Sequence, residues 1–226
     1  MWSLFRDYNY PVHRLLDQAA RRHVADFTGR VLDAGCGTSP YREHLPDHVD
    51  YVGVDRSRQP QVRALADTSA LPFADASFDG VICTEMLSQS TRPWQLMGEL
   101  ARVLRPGGRL YLTAPFDWHF FDEPYDYFRF TTHGVRALLE DAGFDVELTE
   151  PIGGMFSAFA GKLLEDVVAD VWLPLARAAG LRRGAYLAAA LAALPWNAAS
   201  VLLLPRLDRL VRRNPFSIAV RAVRRV

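Results

Sequence analysis

Two short apolar runs, Val31-Leu32-Asp33 and Tyr51-Val52-Gly53-Val54-Asp55, each close on a carboxylate, and a third acid, Asp67, follows a third such run. That repetition constrains the fold more than any other feature. A strand buried on both faces reads as a brief continuous apolar run. An acid at its end marks where the chain leaves the sheet. The strands read from this pattern are Arg30–Ala34, Tyr51–Asp55, 61–66, Phe78–Thr84 and Arg109–Pro115, with 144–150 alternating as a half-exposed strand does. Helical spacing lies between them. Leu15, Leu16, Ala19 and His23 form one stripe between Val12 and Phe27. Pro93 opens a helix with Leu96, Met97, Leu100, Val103 and Leu104 on one face, and Arg105-Pro106-Gly107-Gly108 stops it. Thr131 or Thr132 caps a third helix, with Val135, Leu138, Leu139 and Ala142 inward and Gly143 at its end.

Strands alternating with helices imply an α/β fold, a parallel sheet covered on both faces. Ligands of such sheets sit beyond the carboxyl ends of the strands. Asp33, Asp55, Asp67, Glu85 and Pro115 all fall there. Gly35 and Gly37 let the chain turn sharply and let a ligand approach without a Cβ in the way. Ser39 is expected to cap a helix begun by Pro40. A dinucleotide site would carry a third glycine where Pro40 stands, which disfavours a nicotinamide oxidoreductase, and no Lys-Ser/Thr pair marks a phosphate loop. Asp55 lies 20 residues after Gly35 and suits two ribose hydroxyls; Asp67 suits an adenine amino group or nearby loop amides. The pattern fits a nucleoside without a diphosphate. Each acid alone is equally well read as a strand-end cap or turn former; three in succession beside the glycine turn are not.

In order, Val31–Tyr41, Tyr51–Asp55, 66–90, 99–116 and 138–146 resemble the successive motifs of class I S-adenosylmethionine-dependent methyltransferases, in the small-molecule, methyltransferase type 11-like subgroup. The resemblance covers Val31 to Glu150. It implies a Rossmann-like, doubly wound, seven-stranded sheet with one antiparallel strand, for which Phe216–Val223 is the candidate. Residues 1–29 would then be a helical lid, 30–152 and 214–226 the core, and 153–213 a long helical insertion. The resemblance also implies that Asp33, Gly35, Cys36 and Gly37 surround the methionine part of the cofactor. Asp55, with Arg56 beside it, would take the ribose, and Asp67 with Thr68 the adenine end. Glu85 completes the cofactor set. Many relatives carry glycine at Ser39, which is left out, and histidine at Gln89.

Methyl transfer is an in-line displacement served mainly by orientation. An acceptor hydroxyl or ammonium also needs a base; a carboxylate does not. The stretch 115–133 supplies candidates. His119 suits a base near neutral pH. Tyr125, Tyr127 and Arg129 suit orientation of an acceptor, Arg129 by forking a carboxylate or phosphate. His119 followed by Pro124-Tyr125-Asp126-Tyr127-Phe128-Arg129 resembles a run in bacterial methyltransferases of glycan or secondary-metabolite assembly. Packing of the loop, with Arg129 paired to Asp126 or Glu123, is the competing account. Asp117, His119, Asp122 and Glu123 offer oxygen-rich metal ligands, but adjacent acids ordinarily form a solvated loop, and no metal is expected. Tyr8, Tyr10 and His13 belong to the lid, with His13 expected to pack.

The formal net charge is zero, yet Arg177 to Val226 holds ten arginines and one acid, Asp208. Nucleic acid is not expected, because no base-stacking motif accompanies the arginines. Ala185–Pro205 carries no charged residue before Arg206, and its length would nominate a membrane span. Alanine richness, Pro195 and Asn197 argue against one, and a single crossing would strand the last strand away from its sheet. Packing on the body or on a second copy is expected, with monotopic membrane attachment as the alternative. Two cysteines without metal spacing and no apolar leader suggest a reducing, cytoplasmic setting. The expected activity is methylation of oxygen, or less favourably nitrogen, on a small metabolite, sugar or peptide carboxylate. A cofactor-binding assembly partner without catalysis is the second reading.

Overall fold

The computed structural model describes residues 9–180, 185–209, 211 and 214–226. In chain order the elements are α1 (Tyr10–Val24), β1 (Arg30–Ala34), β2 (Asp50–Asp55), β3 (Val62–Leu65), β4 (Phe78–Thr84), α2 (Pro93–Val103), β5 (Leu104–Pro115), α3 (Thr132–Asp141), β6 (Phe144–Ile152), α4 (Met155–Asp166), α5 (Leu173–Ala178), α6 (Ala185–Ala192), α7 (Leu194–Asp208) and β7 (Ser217–Arg224). A π-turn, Val167–Trp172, joins α4 to α5. The seven strands form one sheet in the order β3-β2-β1-β4-β5-β7-β6. β1, β2, β3, β4 and β5 pair in parallel. β7 runs antiparallel to β5, from Arg109 opposite Val223 to Pro115 opposite Ser217. The late apolar run thus enters the sheet as the odd-direction strand.

Buried residues of β1, β2, β4 and β5 build a continuous core with Leu96, Met97 and Leu100 of α2 and Val135 and Leu139 of α3. Helical spacing placed these side chains on the inward faces. Thr131 caps α3, its Oγ1 accepting from the Gly134 amide at 3.1 Å. Two local expectations are corrected. Ser39 and Pro40 start no α-helix; a 3-10 turn at Arg42–His44 follows instead. Ser39 sits at φ 55° with its hydroxyl donating to the Tyr51 oxygen at 2.8 Å, and Pro46 follows the turn closely, where it cannot continue a helix. Arg105–Gly108, expected as a helix stop outside the sheet, belongs to β5. There the register shifts, Phe78 facing Leu104 and Gly80 facing Arg109, so the extra residues form a bulge.

Two compact units divide the chain. One holds Asp17–Phe116, Phe120–Glu150 and Ser217–Val226; it is the sheet unit. The other holds the described residues up to Leu16, Asp117–His119 and Pro151–Phe216; it is the helical unit. Among the described residues no helix is long and apolar enough to cross a membrane. The uncharged stretch that begins at Ala185 breaks between α6 and α7, with Pro195 in the first turn of α7.

Candidate functional site

A cleft of about 470 Å³ opens in the sheet unit, lined by Gly35, Arg56, Ala66, Asp67, Thr68, Ser69 and Met86, by the polar stretch Gln89 to Arg92 with Gln95, and by Tyr125 and Tyr127. These residues come from the turn after β1, the ends of β2 and β3, the loop into α2, and the loop after β5. The cleft therefore lies where the strand pattern places a ligand.

The turn after β1 is held by the sheet. The amides of Gly35 and Cys36 both donate to the Val54 carbonyl at 2.9 Å. Gly35 has φ 79°, and a Cβ there would lie 2.3 Å from Met86 Cγ and Sδ. Gly37 has φ 47° with open space where a Cβ would stand, so this turn keeps room beside its backbone. Cys36 is buried, and a Cβ on Gly53 would meet its sulfur; burial and the neighbouring Asp33 push its thiol up to about 11, so it stays neutral and packs.

The acids differ in their surroundings. Asp33 is buried at the end of β1. Its Oδ2 accepts from the Tyr51 hydroxyl at 2.7 Å, while its Oδ1 is buried without a hydrogen-bond partner. Burial pushes its carboxyl up to about 7, against the Tyr51 hydrogen bond. Asp55 is more open. Partial burial raises its pKa, but the Ser57 amide and hydroxyl and the Gly37 amide outweigh that and hold it below the usual range. The Gly37 amide donates to Oδ2 at 3.0 Å, and the Ser57 amide to Oδ1 at 2.8 Å. Asp55 thus ties the end of β2 to the glycine turn. Asp67 Oδ1 accepts from the Ser69 amide at 2.8 Å and hydroxyl at 2.7 Å, which lowers its pKa and shapes the turn carrying Thr68. Glu85 stands after β4 at φ 57°, its Oε1 accepting from the Ser217 hydroxyl of β7 at 2.7 Å. Desolvation raises its pKa against that bond.

The loop after β5 reaches the cleft through its tyrosines. Arg56 lies 3.8 Å from the centre of the Tyr125 ring and donates to Asp122 at 3.0 Å. The Tyr127 amide donates to the Ser88 carbonyl at 2.9 Å. Arg129 forks the Asp126 carboxylate at 2.5 and 2.6 Å, so the arginine read as an orienting group is engaged inside its own loop. His119 belongs to the helical unit, with its ring 4.8 Å from the Trp118 ring and Nδ1 3.9 Å from Asp166 Oδ1; it does not line the cleft. Neither do Asp33, Cys36, Gly37, Asp55, Glu85 or Arg129. Tyr8 lies outside the described residues.

Met86, Arg92 and Gln95 line the cleft without having been singled out in the sequence, and Tyr51 holds Asp33. Tyr51 carries no signal as a first strand residue, and the signal that could have found Met86 is its place next to the strand-end acid Glu85. Among the described residues, the grouping compact enough for a metal is Asp17, Glu43 and His44; its His44 and Asp17 already pair at 2.7 Å. The run from Asp117 to Glu123 forms no such grouping.

The site fits an adenosyl sulfonium. The cleft has the size of a nucleoside with space to spare, and outside its lining Asp33 leaves a buried acceptor unmet and Gly37 leaves room beside the backbone. Residues 32–112 match the family described as a methyltransferase domain. A demethylmenaquinone methyltransferase of Beutenbergia cavernae is 32% identical over 175 residues, 57% of this chain and 73% of the relative. A second enzyme of that name, from Renibacterium salmoninarum, is 38% identical over 106 residues, 40% of this chain; the chain spans only 45% of that relative's length. The 27-O-demethylrifamycin SV methyltransferase of Amycolatopsis mediterranei is 34% identical over 117 residues, 44% of this chain and 43% of the relative. Among solved structures, the cyclase SpnF has a TM-score of 0.62 at 22% identity, over 94% of this chain and 80% of its own. A putative sarcosine dimethylglycine methyltransferase of Galdieria sulphuraria scores 0.59 at 15% identity, over 96% and 85%. These structures share the fold; a cyclase among them shows that the fold alone does not fix the reaction.

Proposed function

The chain belongs to the class I S-adenosylmethionine-dependent methyltransferases, and from that premise we propose that it methylates an oxygen of a small-molecule acceptor. S-adenosylmethionine is the cofactor of that family, and when bound it supplies a methyl group already activated on a sulfonium. The chain's own residues then have to bind, orient and exclude water. Asp33 offers its unmet Oδ1 to the cationic end of the cofactor, and the Gly35–Gly37 turn gives the backbone approach. Asp55 takes the ribose with the lone pairs not used by Gly37 and Ser57. Thr68 and Asp67 take the adenine end, with Met86 as an apolar wall. The buried, partnerless Asp33 oxygen beside the glycine turn carries this reading.

The acceptor is assigned to the polar side of the cleft, where Gln89, Gln95 and Tyr127 offer hydrogen bonds. Oxygen is favoured over nitrogen because a relative acts, by its name, on a 27-O-demethyl compound. A metabolite, sugar or peptide carboxylate suits the Arg92 side of the cleft. His119, outside the lining of this cleft, is proposed as the base on the chemistry of imidazole alone. Arg129 orients the acceptor loop by holding Asp126.

Calorimetry with S-adenosylhomocysteine, followed by a screen of acceptors with labelled methyl donor, tests the reading. Binding with label transfer to an oxygen supports it. Binding without transfer to any acceptor favours a non-catalytic assembly partner. No binding removes the cofactor site. His119→Ala should cut turnover at least about 100-fold with cofactor affinity unchanged; full turnover in that variant rejects the base.

A further inference from the structure

Between Met155 and Asp208 the helical unit sorts its side chains by size in the sense opposite to a water-soluble core, whereas Val12, Ile152 and Phe216 elsewhere in the unit are buried in the ordinary way. From Met155 to Asp208, every described residue that is buried is Ala, Gly, Ser, Asn or Asp, apart from Val168. Among the described residues, Val168, Ala189 and Ala193 form an internal apolar cluster there, with half-buried Leu164 and Leu173 packed against it. The large side chains are outside. Met155, Phe159, Leu163, Val167, Val171 and Leu175 recur every four residues along α4, the π-turn and α5, and all are exposed, Phe159 at 67% and Leu175 at 62%. In an α-helix a four-residue step drifts by about 40°. The wider turn at Val167–Trp172 winds less per residue and offsets that drift. On α7, Leu202 and Leu203 are 64% and 53% exposed. Trp172 and Trp196 edge an apolar groove of about 330 Å³ between these helices.

In water, large apolar groups go in and small ones are tolerated outside. Small residues at helix contacts with large ones facing out is the sorting that an apolar solvent produces. The charges agree. By sequence the helical unit carries ten basic and six acidic residues, whereas the sheet unit carries sixteen basic and twenty acidic. Several of its acids are held internally: Asp208 by the Phe156 and Ser157 amides, Glu165 by Asn9, and Asp117 by Lys162. Arg177, Arg206 and Arg209 are exposed. A second copy would set this basic surface against itself in a two-fold contact. Among the described residues a span is excluded: α6 and α7 are 8 and 15 residues long and reach about 12 and 22 Å against a hydrocarbon core of about 30 Å, and the continuous run 155–178 carries Lys162, Glu165, Asp166, Asp170 and Arg177.

We propose that the helical unit lies on an anionic membrane surface, its exposed aliphatic side chains and two tryptophans at the headgroup–acyl boundary and its arginines on lipid phosphates. The docking stands whether or not the sheet unit transfers methyl groups. If both hold, the acceptor is drawn from amphiphiles that partition into that boundary.

Flotation of the full chain tests it, with phosphatidylcholine vesicles and with vesicles containing about a third phosphatidylglycerol. The chain should float with the anionic vesicles and about tenfold less with the neutral ones. Leu202→Ser with Leu203→Ser should lose binding to both; Arg206→Glu with Arg209→Glu should lose the anionic preference. Circular dichroism and S-adenosylhomocysteine calorimetry in solution should match the parent in both variants. Failure of the parent to float, or flotation of either double variant like the parent, overturns the proposal. So does light scattering that shows a stable dimer split by the leucine substitutions, which would make a second copy the occupant.

Discussion

The two units of this chain obey opposite packing rules. In the sheet unit, leucine, isoleucine, valine and phenylalanine are inside, and the core runs without interruption from β2 across β5 to α3. Between Met155 and Asp208 of the helical unit, the buried described residues are mainly alanine, glycine and serine, and leucine, phenylalanine and tryptophan are half-buried or exposed. The difference teaches that apolar content does not by itself say where a core is. The sheet has alternating or continuous runs whose geometry forces one set of side chains inward. The alanine-rich helices present little size contrast within their faces, so what surrounds them decides the sorting.

The contrast breaks or sharpens at single residues. Leu100 is fully buried between α2 and the sheet, and Leu100→Ala should cost about 2–5 kcal/mol in urea unfolding. Equal losses from Leu202→Ser would erase the distinction. Asp33, with the likewise buried and raised Glu85, should make the cofactor-free chain less stable as pH rises. The Asp33 carboxyl binds a proton more readily when folded, at about 7, than at its ordinary value of 3.8. Its share of the stability should therefore fall as pH rises between those values, by up to about 4 kcal/mol, and Asp33→Asn should reduce the slope by that share. A parent whose unfolding midpoint ignores pH there would remove the shift. Asp55→Ala should weaken S-adenosylhomocysteine about 100-fold, about 2.7 kcal/mol. Unchanged affinity by calorimetry would take Asp55 off the ribose. Gly37→Ala should cost about 1–2 kcal/mol for its left-handed φ. Because no described residue meets the added Cβ, any loss of affinity beyond the stability change reports a ligand in that space. Smallest of all, Leu202→Ser should move the unfolding free energy in vesicle-free buffer by no more than about 0.5 kcal/mol.

Much of the sheet unit was legible. β1, β4 and α2 begin where Arg30, Phe78 and Pro93 said they would, because a strand run or an N1 proline is a local signal. The turn after β1 was legible as a turn, but its continuation was not. Ser39 and Pro40 satisfy a cap rule, and Tyr51 from the neighbouring strand takes the Ser39 hydroxyl instead. Of the residues named from sequence, Gly35, Arg56, Asp67, Thr68, Gln89, Tyr125 and Tyr127 line the cleft. Met86, Arg92 and Gln95 join them because the loop into α2 folds back, which no spacing encodes.

By itself the sequence determined the alternation of strands and helices, the acids at the strand ends and the glycines of the first turn. Those features rest on period and backbone freedom, which act within a few residues. Only the tertiary structure decided that β7 lies between β5 and β6, that Arg129 is claimed by Asp126, and that Asp33 keeps one oxygen unmet. It also turned the large side chains of the last helices outward. Each of these is a competition between distant groups for the same partner or the same volume, and such competitions are settled only when the chain is packed.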